Sequence, residues 1–237
     1  MIAALLIGKE HSRELPDKNL LGIDGKCMME YPLDAALESA EVDRVFVSTD
    51  SQEIARIAIE HGASVIYRPA YLATDKALAI DVIRHGYQFL RANLGLNIEL
   101  LVFLHCNSPC VTAETIDRGI NLMRANPDAD SCATYSRYNE YNPGRAMRID
   151  NGHVTAFNPM MAITTTSDRD SAGDVYFYDG GLAVIRSHCV ESRHYGFQPY
   201  PWLGRVRIPI VQEGGLDVDN IRGLVQAQWW IRKFYFK

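Results

Sequence analysis

The sequence predicts an α/β fold, a mainly parallel sheet sandwiched by helices, with a small β-rich lobe inserted in its second half. Three observations predict it. Short apolar runs alternate with amphipathic stretches of helical period from the N-terminus to Met123, the rhythm of strand–helix–strand units. From Arg137 to Asp179 that rhythm yields to a stretch rich in Tyr, Asn, Thr and Asp. Strand-like runs then resume at Leu182. One domain spanning residues 1–237, with a lobe at 137–179, is the expected organisation.

The elements follow in order. Met1 to Ile7 reads as a first buried strand, followed by a polar loop from Gly8 to Asn19 and a helix over Met29 to Ser39. Val45–Val47 is a second strand. Asp50 with Glu53 has the spacing of a capping box for a helix with Ile54, Ile57 and Ala58 on one face, and Gly62 fits its stop. Ser64 to Tyr67 is a third strand; Ile80, Ile83, Tyr87 and Leu90 keep helical spacing. Leu100–Leu104 forms another buried strand, broken by Ser108-Pro109. Thr112 then caps a helix whose core face is Ile116, Ile120 and Met123. Within the lobe, Asn151-Gly152 marks a hairpin. A lobe fits this stretch better than a long structureless loop. Leu182–Ile185 and Val206–Ile210 read as strands, and Ile221, Leu224, Val225 and Trp229 as a final helix.

Composition narrows the classes. A 47% apolar content supports a sizeable core, and a net charge of −5 gives no general attraction to nucleic acid or to an acidic membrane. The opening apolar run has no basic leader and is too short for a signal peptide or a membrane span, so a cytoplasmic protein is expected. Five cysteines do not describe a secreted disulfide scaffold. Cys106 and Cys110 have no second pair to complete a zinc site and read as half-buried thiols flanking a turn. There is no G-x-S-x-G elbow. The histidines outside the loops read as polar residues, and Trp202, Trp229 and Trp230 as packing or dimer contacts.

In an open parallel sheet, ligands bind beyond the carboxyl ends of the strands. Four polar segments fall there: Gly8 to Asn19, Ser48 to Asp50, His105 to Pro109, and Glu213 to Asp219. The first is neither a Walker loop nor G-x-G-x-x-G. Its Lys9, Arg13 and Lys18, with backbone N–H groups, can wrap a triphosphate, although on its own residues it reads equally as a solvated loop. Asp217 and Asp219 are two residues apart and share a face in extended backbone, where they can hold a hard cation such as Mg2+. Capping of the last helix by one of them is the alternative.

Taken together, these segments resemble the acylneuraminate cytidylyltransferases (CMP-sialic acid synthetases) and, more broadly, the sugar nucleotidyltransferases. The family loop A-R-x-x-S-K-x-[LIV]-P-x-K-N is met here by residues 8–19. V-S-T-D is met by Val47-Ser48-Thr49-Asp50, and R-P-x-x-L-A-[ST]-D by Arg68 to Asp75 without change. L-Q-P-T-S-P-L is altered to Leu104-His105-Cys106-Asn107-Ser108-Pro109-Cys110, and the late D-x-D is Asp217-Val218-Asp219. The ordered set covers most of the chain.

The resemblance implies a Rossmann-like, GT-A-like nucleotidyltransferase that uses CTP to activate a nonulosonic, 2-keto-3-deoxy sugar acid, giving CMP-sugar and pyrophosphate. It implies a nucleotide site of Gly8, Lys9, Ser12, Arg13, Lys18, Asn19, Arg68, Asp75, His105 and Ser108. Lys9 and Lys18 would act on the triphosphate, Asp217 and Asp219 would hold Mg2+, and Arg169 and Asp179 would contact the acidic sugar. The lobe would form a homodimer. Lys9 stands where the family has arginine, His105 where it has a base-reading glutamine, and Val111 where an arginine often follows. The acidic run from Asp168 to Asp174 suits a neutral or amino-bearing sugar better than a second carboxylate. These departures motivate two alternatives, a sugar 1-phosphate substrate with CTP or another triphosphate, and an inactive nucleotide-sugar binding protein.

Overall fold

The computed structural model describes residues 1–12 and 14–236. The chain runs β1 (Ile2–Ile7), a hairpin of β2 (Gly22–Ile23) and β3 (Lys26–Cys27), α1 (Glu30–Glu38), β4 (Arg44–Thr49), α2 (Gln52–Glu60) and β5 (Ser64–Tyr67). It continues through α3 (Ala79–Gln88), β6 (Leu100–His105), α4 (Ala113–Ala125) and β7 (Ser131–Arg137). A second hairpin, β8 (Met147–Asp150) and β9 (His153–Ala156), precedes the short α5 (Pro159–Ala162). The chain then re-enters the sheet as β10 (Tyr176–Arg186), followed by α6 (Ser187–Glu191), β11 (Arg207–Gln212) and α7 (Ile221–Trp230).

Seven strands form one sheet in the order β11-β7-β10-β6-β1-β4-β5. Only β10 runs antiparallel to its neighbours; the other pairings are parallel. Both faces are covered, as a parallel sheet requires. Along β1, Ile2, Ala4 and Leu6 pack with α1, α2 and α4 on one side, through Leu33, Ile54 and Ile120. Ala3 and Leu5 pack on the other side with α3 and α6, through Ile80, Ile83 and Val190. The period-2 alternation of a continuous apolar run thus feeds two cores at once.

Three sequence expectations are corrected. The cap of α2 is Ser51, whose side chain accepts from the Ile54 N–H; Asp50 instead accepts from the Glu10 N–H at 3.2 Å and ties down the first loop. Cys106 and Cys110 are fully buried, not half-buried, and burial pushes both thiols up to about 12. Capping of α7 falls to Asn220, which accepts from the Arg222 and Gly223 N–H groups, so neither Asp217 nor Asp219 is a cap. The Asn151-Gly152 turn is as expected, with both residues at positive φ (51° and 79°) between β8 and β9.

The C-terminal segment forms a third core. Ala227, Trp230 and Ile231 pack with Ile23, Met28 and Tyr31 of the first hairpin region, and Val218 is buried among them. Among the described residues, no helix is long and apolar enough to cross a membrane.

Candidate active site

The register of β1 and β6 pairs Ile7 with His105, so the first loop and the His105–Pro109 segment leave the sheet side by side. Gly8 sits at this exit because nothing larger fits: a Cβ there would lie 2.8 Å from Cys106 Sγ. Asn19 donates to the Lys9 carbonyl at 2.9 Å, closing the loop on itself.

One cavity opens over these strand ends. Gly8, Lys9, Lys18 and Asn19 of the first loop line it together with Arg68, Asp75, His105 and Asn107. Lys9 Nζ lies 2.5 Å from Asp75 Oδ1, and Lys18 pairs with Asp219. Arg68 is buried just after β5; its Nη2 donates to the Ser48 carbonyl at 2.7 Å, while Nε and the Ser48 hydroxyl have no partner among the described residues. Burial pulls the Arg68 guanidinium below its usual value. Burial also lowers His105 to about 4, with the Lys18 charge adding to the effect, so its imidazole is neutral at physiological pH and offers one donor and one acceptor.

A second cavity of about 410 Å3 adjoins the first. Tyr138, Tyr141, Phe177 and Tyr178 give it an aromatic wall, and Asp217, Asp219 and Arg222 also line it. Because Val218 points into the third core, extended backbone turns Asp217 and Asp219 the other way. The Val218 N–H donates to the Asn107 carbonyl at 2.8 Å, and Asn107 Nδ2 donates back to the Val218 carbonyl at 3.0 Å. Asn107 thereby fixes the acidic segment against the end of β6. The carboxylate of Asp217, apart from its own N–H, receives no donor among the described residues. Burial, and next the neighbouring Asp219, raise it to about 6. The buried Ser108 hydroxyl beside it also has no partner among the described residues. Gly180, at φ +73°, lets the chain pass here, since a Cβ would come within 3.2 Å of Asp217 Cβ and 3.3 Å of Ser108 Oγ. A carboxylate pair without enough donors of its own fits a hard divalent cation, whose remaining ligands would come from phosphate oxygens and water.

Asp179 presents the opposite case. It is 3% exposed, and its Oδ1 accepts from Thr134 Oγ1 (2.6 Å) and the Gly181 N–H (3.1 Å). Its Oδ2 accepts from Ser136 Oγ (2.7 Å) and Gln212 Nε2 (2.9 Å). All four acceptor positions of the carboxylate are occupied.

Of the remaining sequence candidates, Ser12 is half-buried and lines neither cavity, and Arg13 lies outside the described residues. Arg169 is exposed in the lobe, paired with Asp170 at 3.2 Å, and also lines neither cavity. Asn107, the aromatic wall and Arg222 were not singled out by the sequence. Asn107 lay within a quoted motif. The aromatic residues and Arg222 become site residues only when β10, the 213–219 segment and α7 are brought together.

Cations beside paired carboxylates line a crevice at the carboxyl edge of a mainly parallel sheet, and the protein is of the α/β class. The chain belongs to the cytidylyltransferase family, whose model matches residues 9–197. An N-acylneuraminate cytidylyltransferase of Streptococcus agalactiae serotype V is 40% identical over 225 residues, covering 91% of this chain and 50% of that protein. The N-acylneuraminate cytidylyltransferase of Oncorhynchus mykiss is 31% identical over 236 residues, covering 99% and 51%. The chain thus spans about half the length of the curated relatives it matches. Among solved structures, a CMP:2-keto-3-deoxy-manno-octonic acid synthetase complexed with CTP superposes with a TM-score of 0.69 at 14% identity, covering 98% of each chain. A 4-diphosphocytidyl-2C-methyl-D-erythritol synthase from Anaerococcus prevotii superposes at 0.59, also with 14% identity and 98% coverage of each chain. The fold is the Rossmann-like fold of these nucleotidyltransferases.

Proposed function

We propose that this chain is a cytidylyltransferase that joins CMP from CTP to a nonulosonic, 2-keto-3-deoxy sugar acid and releases pyrophosphate. The observation that carries the reading is the junction of the two cavities. Lys18 lines the first, Asp219 lines the second, and the two side chains are paired across the boundary. A triphosphate in the first cavity and a sugar in the second would meet at that pair.

Lys9 and Lys18 hold the phosphate tail, exchanging their carboxylate partners for phosphate oxygens. Arg68 and neutral His105 face the ribose and cytosine, with Gly8 and Asn19 shaping the loop around them. The sugar's anomeric hydroxyl attacks the α-phosphorus in line and gives its proton to water; a new P–O bond forms as the bond from the α-phosphorus to the α,β-bridging oxygen breaks, and pyrophosphate leaves with that electron pair. Positioning and charge neutralisation supply the acceleration, with no covalent enzyme intermediate. Asp217 and Asp219 are the residues that would hold Mg2+, which when bound neutralises phosphate charge and aligns the reactants.

The β8–β9 lobe serves as the element of a homodimer. Ile149 (74% exposed), Met160 (77%) and Ile163 (77%) support this, because apolar side chains so exposed mark an interaction surface. The free state of the five cysteines accords with a cytoplasmic location.

Pyrophosphate release, measured with Mg2+ and each of the four nucleoside triphosphates against nonulosonic acids and sugar 1-phosphates, tests the reading. Turnover with CTP and a keto-sugar acid is expected. Turnover only with a sugar 1-phosphate, or indifference to CTP, overturns it.

A further inference from the structure

We propose that Arg222, on the first turn of α7, receives the carboxylate of the sugar acid; the inference rests on the reading above and deepens it. Arg222 is the one cation among the described residues lining the second cavity. Its guanidinium is exposed and has no acceptor among the described residues; only its backbone N–H is engaged, by Asn220. The other arginine proposed for the sugar, Arg169, is taken by Asp170 in the lobe.

The fold aims Arg222 at the cavity by two independent contacts. Gln226, one helical turn later on the same face, is anchored in the cavity wall, donating to Tyr138 Oη at 2.9 Å and to the Gly214 carbonyl at 3.2 Å. Gly223 packs on the acidic segment: a Cβ there would lie 3.2 Å from Leu216 Cδ1 and in ordinary contact, 3.5 Å, with Val218 Cα. The start of α7 therefore lies against Asp217–Asp219, with Arg222 on the side that Gln226 faces.

Charge gives the specificity. A sugar acid entering this cavity meets the carboxylates of Asp217 and Asp219, and its own carboxylate is repelled unless a cation stands beside it. The planar guanidinium donates two parallel hydrogen bonds to a carboxylate, which fixes the sugar's rotation as well as its position. With the carboxylate held at α7, the sugar's apolar C–H surface falls to the aromatic wall formed by Tyr138 and Phe177.

The test is steady-state kinetics on the whole chain with CTP, Mg2+ and the sugar acid that supports turnover. Arg222→Ala is expected to raise the KM for the sugar acid by about 10- to 100-fold, leaving the KM for CTP unmoved. Arg222→Lys should recover part of the loss, since it keeps the charge without the fork. A substrate analogue carrying a carboxamide in place of the carboxylate supplies the second readout: the native chain should discriminate against it, and the alanine variant should not. An unchanged KM for the sugar acid in Arg222→Ala, or discrimination that survives the substitution, overturns the assignment. Failure of the native chain to turn over any sugar acid would instead overturn the cytidylyltransferase reading itself.

Discussion

Two carboxylates in neighbouring walls of one cavity have opposite surroundings. Asp179, on β10, is enclosed by Thr134, Ser136, Gln212 and the Gly181 amide, and every acceptor position is filled. Asp217, on the segment after β11, has its own amide as its one donor among the described residues; burial and Asp219 disfavour its charge, and the Lys18 charge offsets them only in part. A buried charge surrounded by donors holds a fold together. One left without them is held there at a cost, which a cation offsets. The pair separates architecture from chemistry, two roles that the residue type alone does not distinguish.

The largest expected effect follows from that contrast. Replacing Asp217 and Asp219 together by alanine should lower kcat by more than about a thousandfold, because transition-state charge then goes unneutralised. Circular dichroism and the unfolding midpoint should stay near those of the native chain. Turnover that survives in the double variant would remove the proposed metal site and with it the distinction drawn above.

The same contrast explains what was legible in the sequence. β1, β4 and β6 are apolar runs buried on both faces, and they read directly. β7 did not, because Ser131-Cys132-Ala133-Thr134-Tyr135-Ser136-Arg137 looks like a loop. Its hydroxyls are buried only because Asp179 and the Leu203 carbonyl accept from them, partners 43 to 72 residues away. The first half of β10 was hidden because its aromatic run meets Asp179 and two glycines, and its register with β7 shifts between Tyr178 and Ala183. In the site, Lys9, Lys18, Arg68 and His105 lie at strand ends or in the loops that follow them, whose convergence is topological, so the sequence marked them. Arg222 opens a helix that reads only as an amphipathic stretch. Its place beside Asp217 depends on the packing of α7 over the first hairpin.

Stability measurements sharpen the comparison. Asp179→Ala strands two buried hydroxyls and a glutamine amide, and should cost about 3–5 kcal/mol in urea unfolding. Asp217→Asn, measured without metal at neutral pH, should leave stability unchanged or raise it. Its carboxyl is held above the ordinary value, so the folded state disfavours the charge that asparagine removes. Equal losses in both variants would show that the two carboxylates are structural alike.

The smallest effect concerns His105, a neutral neighbour of both cavities' charged groups. Its folded value, about 4, lies below the 6.5 of an exposed imidazole, chiefly through burial. The unfolded chain therefore takes up the proton first as pH falls. Stability contributed by the neutral form is intact above about pH 6.5 and is lost progressively toward pH 4, by up to about 3 kcal/mol. His105→Asn should flatten this part of the stability profile relative to the native chain while leaving the plateau at pH 7–8 comparatively little changed. A profile identical in the two proteins would mean that the imidazole titrates normally, exposed to water. The wall between Lys18 and the base pocket would then be wetter than the burial of His105 implies, and the neutral donor–acceptor role assigned to it would fail.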